Sequence, residues 1–259
     1  MDLYRRICTL VLTSLFLCTP VLAQRSEPGL RQSDQVIHQQ VTPFSTVGIA
    51  VSMGTLGIGG QIATPLAQRA NLRIAGNFFS YTSPQYSDDG ISYNAAVKLR
   101  SAEALVDWFP FGNGFHISPG IQVYNGFGGS AKLLVPSGQG FELNKTDYLS
   151  SDDSPITGTG TVSANKVAPM LLIGWGNLIP RTGRHFSIPF EAGVTYEGSP
   201  RITMNFSGTA CDTDNENCKP VATDPVFQAN RAAQQKSVNG DVSSYRFYPI
   251  VSIGFGYRF

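Results

Sequence analysis

The stretch YPIVSIGFGYRF, residues 248–259, decides the fold of this chain. From Val251 onward every second residue is large and apolar, and the residues between them are Ser, Gly and Arg. This alternation is typical of a β-strand with one apolar face and one small or polar face. Chain ends are usually polar and loosely ordered, so an apolar strand here indicates pairing on both of its sides. Because a closed sheet has no edge, we predict that this strand pairs with the first one.

The first 23 residues have the features of a secretory signal peptide. Arg5 and Arg6 precede an apolar stretch at residues 7–17, and a small-residue site follows, where we predict cleavage after Ala23. The apolar stretch is shorter than the ~20 residues of a transmembrane helix, which argues against a membrane anchor.

A lipoprotein would be processed at Cys18, but Leu17 stands where such processing requires a small residue. We therefore predict an exported protein of a Gram-negative-type envelope. Residues 1–23 are its signal peptide, residues 24–45 a flexible periplasmic leader, and residues 46–259 the folded domain.

Composition points to a membrane β-protein. Cleavage removes two of 19 basic and one of 18 acidic side chains, which leaves 17 of each and no net charge. A neutral chain does not indicate a nucleic-acid partner. Charged residues make up 14% of the chain, against about 25% in soluble domains. No stretch after the signal peptide has the 18 or more apolar residues of a membrane helix, so strands that expose alternate residues to lipid are favoured.

Strand-like alternation recurs along the chain, and it makes eight segments in total: 47–53, 57–63, 72–78, 91–109, 116–124, 171–176, 186–196 and 245–259. The connections alternate in length, with short turns at 66–70, 110–114 and 179–184 and long polar segments at 126–166 and 198–242. The connection at 54–55 is atypically short. This pattern predicts an all-β fold: a closed antiparallel transmembrane β-barrel of eight strands, with short periplasmic turns and long outer loops. A soluble β-sandwich also alternates, but it would carry more charge on its exposed faces.

The register of segment 91–109 has two interpretations. Ala102, Ala104 and Val106 share one face, whereas Tyr93 and Leu99 lie in the opposite phase. Either a bulge near Leu99 shifts the register, or the first part of the segment projects beyond the membrane.

The last eight residues resemble the insertion signal of outer-membrane proteins, whose fixed positions Ser252, Gly254, Tyr257 and Phe259 fill. Together with VGIAVSMGTLGIGGQI, LRSAEALVDWFPFG, MLLIGWGN and FEAGVTYEGSPRI, residues 46–259 resemble a family of bacterial outer-membrane β-barrels grouped with the eight-stranded OmpA/OmpW-type proteins. The resemblance implies an integral outer-membrane location. It implies contact with membrane lipid and lipopolysaccharide, and with the barrel-assembly machinery through the last strand. We expect a monomer.

Charged residues occupy the interior faces of the predicted strands: Arg73, Glu103, Asp107, Glu191, Arg246 and Arg258. Eight strands leave an interior that side chains nearly fill, so charges of both signs should pair there. The alternative is a narrow polar pathway through the barrel.

One short motif suggests chemistry. His116 and Ser118 lie two residues apart on one strand face, with Glu103 as a possible acidic partner. A His-x-Ser of this kind resembles that of an outer-membrane lipid A deacylase, in which the pair supports nucleophilic attack. The motif is short, and we predict no enzyme activity, no cofactor and no catalytic or metal site.

Cys211 and Cys218 remain after cleavage, and the oxidising periplasm favours a disulfide between them. Three acidic residues in the enclosed loop could instead ligate calcium through oxygen: Asp212, Asp214 and Glu216. A solvated acidic turn is the simpler interpretation.

The sequence therefore predicts an integral outer-membrane protein that is structural, surface-interacting or a narrow porin-like channel. The alternatives are a transporter of a small hydrophobic solute and a lipid-modifying enzyme. Whether the lumen conducts, and which ligand or solute the protein takes, is left open by the sequence.

Overall fold

A computed structural model describes residues 41–88 and 90–259, so the predicted signal peptide and most of the predicted leader lie outside the described residues. The described strands, in chain order, are β1 (Gly48–Gly54), β2 (Gly57–Ala67), β3 (Ala70–Thr82), β4 (Tyr86–Asp88), β5 (Ile91–Trp108), β6 (Phe115–Asn125), β7 (Gly128–Val135), β8 (Gly140–Leu143), β9 (Thr146–Ser150), β10 (Ile156–Ser163), β11 (Ala168–Trp175), β12 (Phe186–Ser187), β13 (Phe190–Tyr196), β14 (Arg201–Ser207), β15 (Thr209–Cys211), β16 (Lys219–Pro220) and β17 (Phe247–Arg258). Helix α1 (Pro225–Val242) precedes β17. Within the described residues, no helix has the length and hydropathy of a membrane span.

Eight of these strands form a closed antiparallel ring in the order β1-β2-β3-β5-β6-β11-β13-β17. The last strand pairs with the first, from Gly48↔Arg258 to Gly54↔Ser252, as predicted from the alternation at residues 248–259. The pairing of β5 with β6 joins the two halves of the ring. Each of the eight strands overlaps one of the eight segments predicted from the sequence, although segment 186–196 is divided into β12 and β13 and β17 begins only at Phe247.

The ring has an apolar outer face and a small or polar inner face. On β1, Gly48, Ala50 and Ser52 are buried, whereas the intervening residues point outward. Outward apolar residues recur on every ring strand, among them Val51, Met53, Ile62, Ile74, Phe78, Val106, Val123, Ile173, Val194, Ile253 and Phe255. A continuous apolar outer band of this size is unusual for a protein surrounded by water and typical of one surrounded by lipid.

Strand β5 extends beyond the ring without a bulge near Leu99. Its pairing with β3 runs without interruption from Ala70↔Trp108 to Thr82↔Ala96. Its first part pairs with β7, which supports the interpretation that this part projects out of the ring. The register shift lies instead at Ala102/Glu103, opposite β6.

The two long segments predicted as polar outer loops contain regular structure. They hold β7 to β10, β14 to β16 and α1, which we call the outer body. Its core contains Val135, Leu143, Tyr148, Ile156, Ala210, Val221 and Phe227. The sequence analysis assigned both segments to loops because they are polar overall, although Ile202, Met204 and Phe206 alternate with polar residues along β14.

Helix α1 covers the free edge of β14. Asn239 accepts a hydrogen bond from the Ile202 N–H (2.7 Å) and donates one to the Ile202 carbonyl (2.9 Å). Gln235, one helical turn before Asn239, accepts a hydrogen bond from the Met204 N–H (2.8 Å). Arg231, one further turn back, donates to the Met204 carbonyl (2.9 Å). Four residues of a helix advance about 6 Å along its axis, and two residues of a strand advance about 6.6 Å. Helical side chains four positions apart can therefore reach every second residue of the neighbouring strand. The helix thus satisfies backbone groups that an unpaired edge strand would expose.

At the other end of the ring, the connection between β11 and β13 turns inward. We call this end the turn end, because it carries the turns at 68–69 and 109–114 together with Phe259. Residues 177–185, the inward segment, place Leu178 and Ile179 against Ala50 and Ala63 inside the ring. A short turn at 179–184 was expected, whereas the connection spans residues 176–189 and partly closes this end.

Candidate functional site

An ion-pair network crosses the interior of the ring. Arg73 on β3 donates to both carboxylate oxygens of Asp107 on β5, at 2.8 Å from Nη2 to Oδ1 and 3.0 Å from Nε to Oδ2. The same guanidinium donates from Nη1 to Glu191 Oε2 on β13 (2.8 Å) and from Nη2 to Oε1. Gln61 on β2 accepts a further hydrogen bond from Nη1 (3.0 Å). The charged side chains are almost completely buried, with Arg73 and Glu191 each 3% exposed.

Strand alternation places these groups inside. Arg73 occupies an inward position on β3 between Asn71 and Ala75, and Glu191 begins the inward series of β13. In the ring order, β3 and β13 lie four places apart among eight strands, and therefore on opposite walls. The Arg73–Glu191 pair spans the lumen.

His116 and Ser118 both contact carboxylates of this network. Ser118 Oγ donates to Asp107 Oδ1 (2.7 Å), and His116 Nε2 lies 3.0 Å from Glu191 Oε1. His116 Nδ1 also faces an acceptor, the Gly114 carbonyl (3.2 Å), so both ring nitrogens meet oxygen acceptors, an arrangement that an imidazolium satisfies completely. Ser118 is fully buried, and its hydroxyl proton is directed to a carboxylate and not to the imidazole.

Glu103, proposed above as the acidic partner, lies elsewhere in the interior. Both of its carboxylate oxygens accept from Asn77 Nδ2, at 3.0 and 2.9 Å. Among the described residues it has no cationic partner within 4.0 Å, contrary to the expectation that every interior carboxylate would be matched by an arginine.

The two remaining predicted interior arginines do not join the network. Arg246 precedes β17, is exposed and donates to the Ser243 carbonyl (3.2 Å), so its assignment to the lumen is wrong. It lies outside the strand because the pairing of β17 with β13 begins only at Phe247. Arg258 lies at the turn end, where it donates to the Pro180 carbonyl.

Three potential metal ligands lie close together among the described residues, with ligand atoms within 4.8 Å of one another: Asp107, His116 and Glu191. Arg73 donates to both carboxylates of this group. The guanidinium therefore already supplies the positive charge that a metal ion would bring, and a cation bound beside it would be repelled. The chemistry of the group is that of a structural ion-pair network.

Apolar and polar side chains fill the space next to the network. Leu105, Met170, Leu172 and Ile250 pack together across the interior. Leu105 is the apolar residue on the otherwise polar face of Glu103 and Asp107. The cavity between this layer, Arg73 and Glu103 has a volume of about 30 Å³. A space of this size holds on the order of one water molecule.

Uncharged members of the network were missed by the sequence analysis. Gln61 and Asn77 hydrogen-bond the interior charges, and Gln61 also donates to Ser52 Oγ (3.1 Å). Their signal was present, since each lies in the same strand phase as an interior residue: Gln61 with Ala63, and Asn77 with Arg73.

The disulfide predicted between Cys211 and Cys218 is present in the outer body. Inside its loop, Asp212 accepts hydrogen bonds from Asn217 Nδ2 and the Glu216 N–H, both at 2.8 Å. The hydrogen bond from Asn217, followed by that from Glu216, lowers the pKa of the Asp212 carboxyl. The carboxylate is thus engaged within the loop, as in a solvated acidic turn.

The residues of the predicted insertion signal lie along β17. Ser252 and Gly254 face β1 opposite Gly54 and Ser52. Tyr257 and Phe259 contact each other with ring centroids 5.0 Å apart, and Tyr257 also packs against Phe186 (5.1 Å). Aromatic residues therefore gather at the turn end, as in the aromatic girdles that flank the apolar band of outer-membrane barrels.

A ring of eight antiparallel strands that is apolar outside and charged inside has the architecture of bacterial outer-membrane β-proteins. Two solved structures are similar to it: CarO from Acinetobacter baumannii, at 20% identity and a TM-score of 0.50, and CarO2 from the same organism, at 17% and 0.51. The first match covers 84% of this chain and 98% of CarO, and the second covers 85% and 100%. No protein-family model and no curated protein sequence matches the chain.

At this level of identity the likeness concerns the fold, which is that of bacterial outer membrane β-barrel proteins. This fold agrees with the predicted integral outer-membrane location. The finer grouping with OmpA/OmpW-type proteins stays a prediction.

Proposed function

We propose that this protein is an integral outer-membrane β-barrel whose lumen is closed by its own side chains, and that it acts as a structural or surface-interacting protein. The eight-strand ring spans the membrane, with its apolar band in lipid. The turn end faces the periplasm, because short connections characterise that side of outer-membrane barrels, and the outer body faces the exterior.

The observation that carries the closed lumen is the Arg73 network. A single guanidinium binds carboxylates on two opposite walls, and the adjacent apolar layer leaves a cavity of only about 30 Å³. Interior side chains that leave room for about one water molecule would oppose the passage of hydrated ions and solutes. The charges of the buried ion pair are expected to stay together, because separating them would leave uncompensated charges in a low-dielectric interior.

The outer body supports the surface-interacting part of the proposal. It has its own apolar core around the fully buried Phe227, a disulfide and a helix that covers the edge of β14. Segments that only connected strands would not require this much packed structure, so the outer body is the part that would present a defined surface to a partner.

Single-channel recording of the refolded mature chain in a planar bilayer tests the closed lumen. The proposal expects no ion current from protein that shows the heat-modifiable gel mobility of a folded barrel. The same recording on Arg73→Ala measures whether the network is the barrier. A steady current through the unmodified protein, or near-neutral stability of Arg73→Ala with a changed current, would overturn the proposal in favour of a narrow channel.

A further inference from the structure

The wall of the ring has a lateral notch at the turn end. Strand β11 pairs with β13 as far as Trp175↔Phe190, whereas β12 pairs with β17 at Phe186↔Tyr257. Between these two pairings the inward segment leaves the wall. The result is a pocket of about 510 Å³ that opens sideways between β11 and β12.

The lining of the notch combines an apolar rim with a cationic base. The rim consists of outward-facing residues that are all at least half exposed: Trp175, Phe186, Ile188 and Phe255. The base includes Arg181 and Arg184, with polar groups from Asn113, Thr182 and Ser187. The described residues that line the notch include no Asp or Glu.

Positive charge at the base is not neutralised by the described part of the chain. Arg181 Nη2 donates to the Ala67 carbonyl and to Asn71 Oδ1, both at 3.0 Å and both uncharged. Neither Arg181 nor the neighbouring Arg258 has a carboxylate within 4.0 Å among the described residues.

Two further observations point to a missing anionic partner. Burial, and then repulsion from Arg258, lower the pKa of Arg181, as expected for cations that share a site without an anion. Ser187, which lines the notch, has a buried Oγ without a hydrogen-bond partner within residues 41–88 and 90–259. A buried hydroxyl is normally satisfied, so a ligand that brings oxygen acceptors to the arginine side of the notch fits this lining.

We propose that this notch binds an anionic glycerophospholipid of the periplasmic leaflet, with its phosphate against Arg181 and Arg184 and an acyl chain against Trp175, Phe186 and Ile188. This inference rests on the proposed function, which places the turn end at that leaflet. A lipid fits better than a free anion because the rim faces the surface that lipid would cover. Guanidinium groups bind phosphate oxygens through paired, charge-assisted hydrogen bonds.

The fluorescence of Trp175 tests the proposal directly, since the chain contains only two tryptophans, Trp108 and Trp175. In Trp108→Phe, Trp175 alone reports from the rim of the notch. The mature chain is reconstituted into phosphatidylcholine vesicles with a minor fraction of phosphatidylglycerol, and bromine quenchers are carried by one lipid or the other. Brominated phosphatidylglycerol should quench Trp175 more strongly than its mole fraction predicts. Trp175→Phe, which reports from Trp108 on β5, should show no such preference.

Charge variants identify the source of any preference. Arg181→Gln and Arg184→Gln should each lower the preference for phosphatidylglycerol about fivefold, the effect of one basic residue at an anionic membrane surface. Arg69→Gln is the matched control, because Arg69 is an exposed arginine in the β2–β3 turn at the same end. If Arg181→Gln fails to fold, the exposed Arg184 still tests the site.

Several results would overturn the inference. Equal quenching of Trp175 by both brominated lipids would show no lipid site, and an equal loss in Arg69→Gln would show only general surface charge. Removal of the preference by added inorganic phosphate would assign the site to free phosphate. Failure of the chain to insert into vesicles would contradict the proposed function, whereas insertion without lipid preference would contradict this inference alone.

Discussion

Arg73 and Glu191 lie 118 residues apart in sequence and on opposite walls of the ring, yet their side chains meet in a two-point ion pair at its centre. Asp107 binds the other edge of the same guanidinium. His116 Nε2 lies 3.0 Å from the Glu191 carboxylate, so the four side chains form one buried cluster. Arg73, Asp107, His116 and Glu191 therefore join four strands that do not all pair with one another, namely β3, β5, β6 and β13.

Loss of the central cation should destabilise the ring strongly. Arg73→Met leaves Asp107 and Glu191 buried without their partner, and the free energy of unfolding should fall by about 3–5 kcal/mol. Urea unfolding in lipid vesicles, followed by tryptophan fluorescence, measures this change. The exposed Arg100 provides the control, since Arg100→Met should change stability by only about 0.5 kcal/mol. Similar losses in the two variants would show that the network does not stabilise the fold.

Ser118 separates a structural from a catalytic role. Because Ser118 Oγ donates to the Asp107 carboxylate, Ser118→Ala should lower the free energy of unfolding by about 1.5–3 kcal/mol, as expected for a hydrogen bond to a charged group. Ser80→Ala, at an exposed position on β3, should be near neutral. A lipid A deacylase would behave differently: Ser118→Ala would leave stability unchanged and abolish release of fatty acid from lipopolysaccharide.

Gly174 is required for the close approach of His116 to the wall. A Cβ atom at this position would lie 2.7 Å from His116 Nε2 and 2.6 Å from the Phe190 carbonyl oxygen. Gly174→Ala should therefore cost about 1–3 kcal/mol through overpacking. Gly160→Ala on β10, where nothing lies within 4 Å, is the matched control. Equal unfolding midpoints for the two variants would contradict the packing seen at His116.

The polar contacts between α1 and β14 should protect the protein from self-association. Asn239→Ala removes both hydrogen bonds to Ile202, which should cost about 1 kcal/mol for each bond lost and expose an unpaired strand edge. Analytical ultracentrifugation in detergent should then detect dimers or larger species. Lys236→Ala, on the exposed side of the same helix, should remain monomeric. Association of both variants to the same extent would rule out edge exposure as the cause.

The disulfide should stabilise the outer body without affecting the ring. Replacing Cys211 and Cys218 by Ser opens a loop with a sequence separation of 7, and the chain-entropy relation gives a loss of about 2.5 kcal/mol. Limited proteolysis should cut the outer body faster in this variant, while the heat-modifiable mobility of the barrel is retained. Loss of that mobility would mean that the ring and the outer body do not fold independently.

The eight ring strands and their closure could be predicted from the sequence because both depend on a local pattern. Alternation of apolar and small residues marks a strand with two different faces wherever it occurs, as at Val51 on β1 and Phe255 on β17. The disulfide was equally accessible, since after the predicted cleavage two cysteines remain in an oxidising compartment.

Helix α1 was not accessible in this way. Phe227 is the buried residue of the helix. Amide and guanidinium side chains of other helical residues hydrogen-bond the outer body. Without an apolar stripe, the helix has no periodicity for a sequence analysis to detect.

The sequence by itself determined which phase of each strand faces inward, because side-chain direction alternates with a period of two, but it did not determine where each strand begins. It could not determine which inward residues meet. Arg73 binds Glu191 and Asp107, Glu103 binds Asn77, and Arg246 lies outside the ring altogether. These pairings depend on the height of each residue in the lumen and on which strands stand opposite each other. Both are properties of the closed ring, set by the register of all eight strands together.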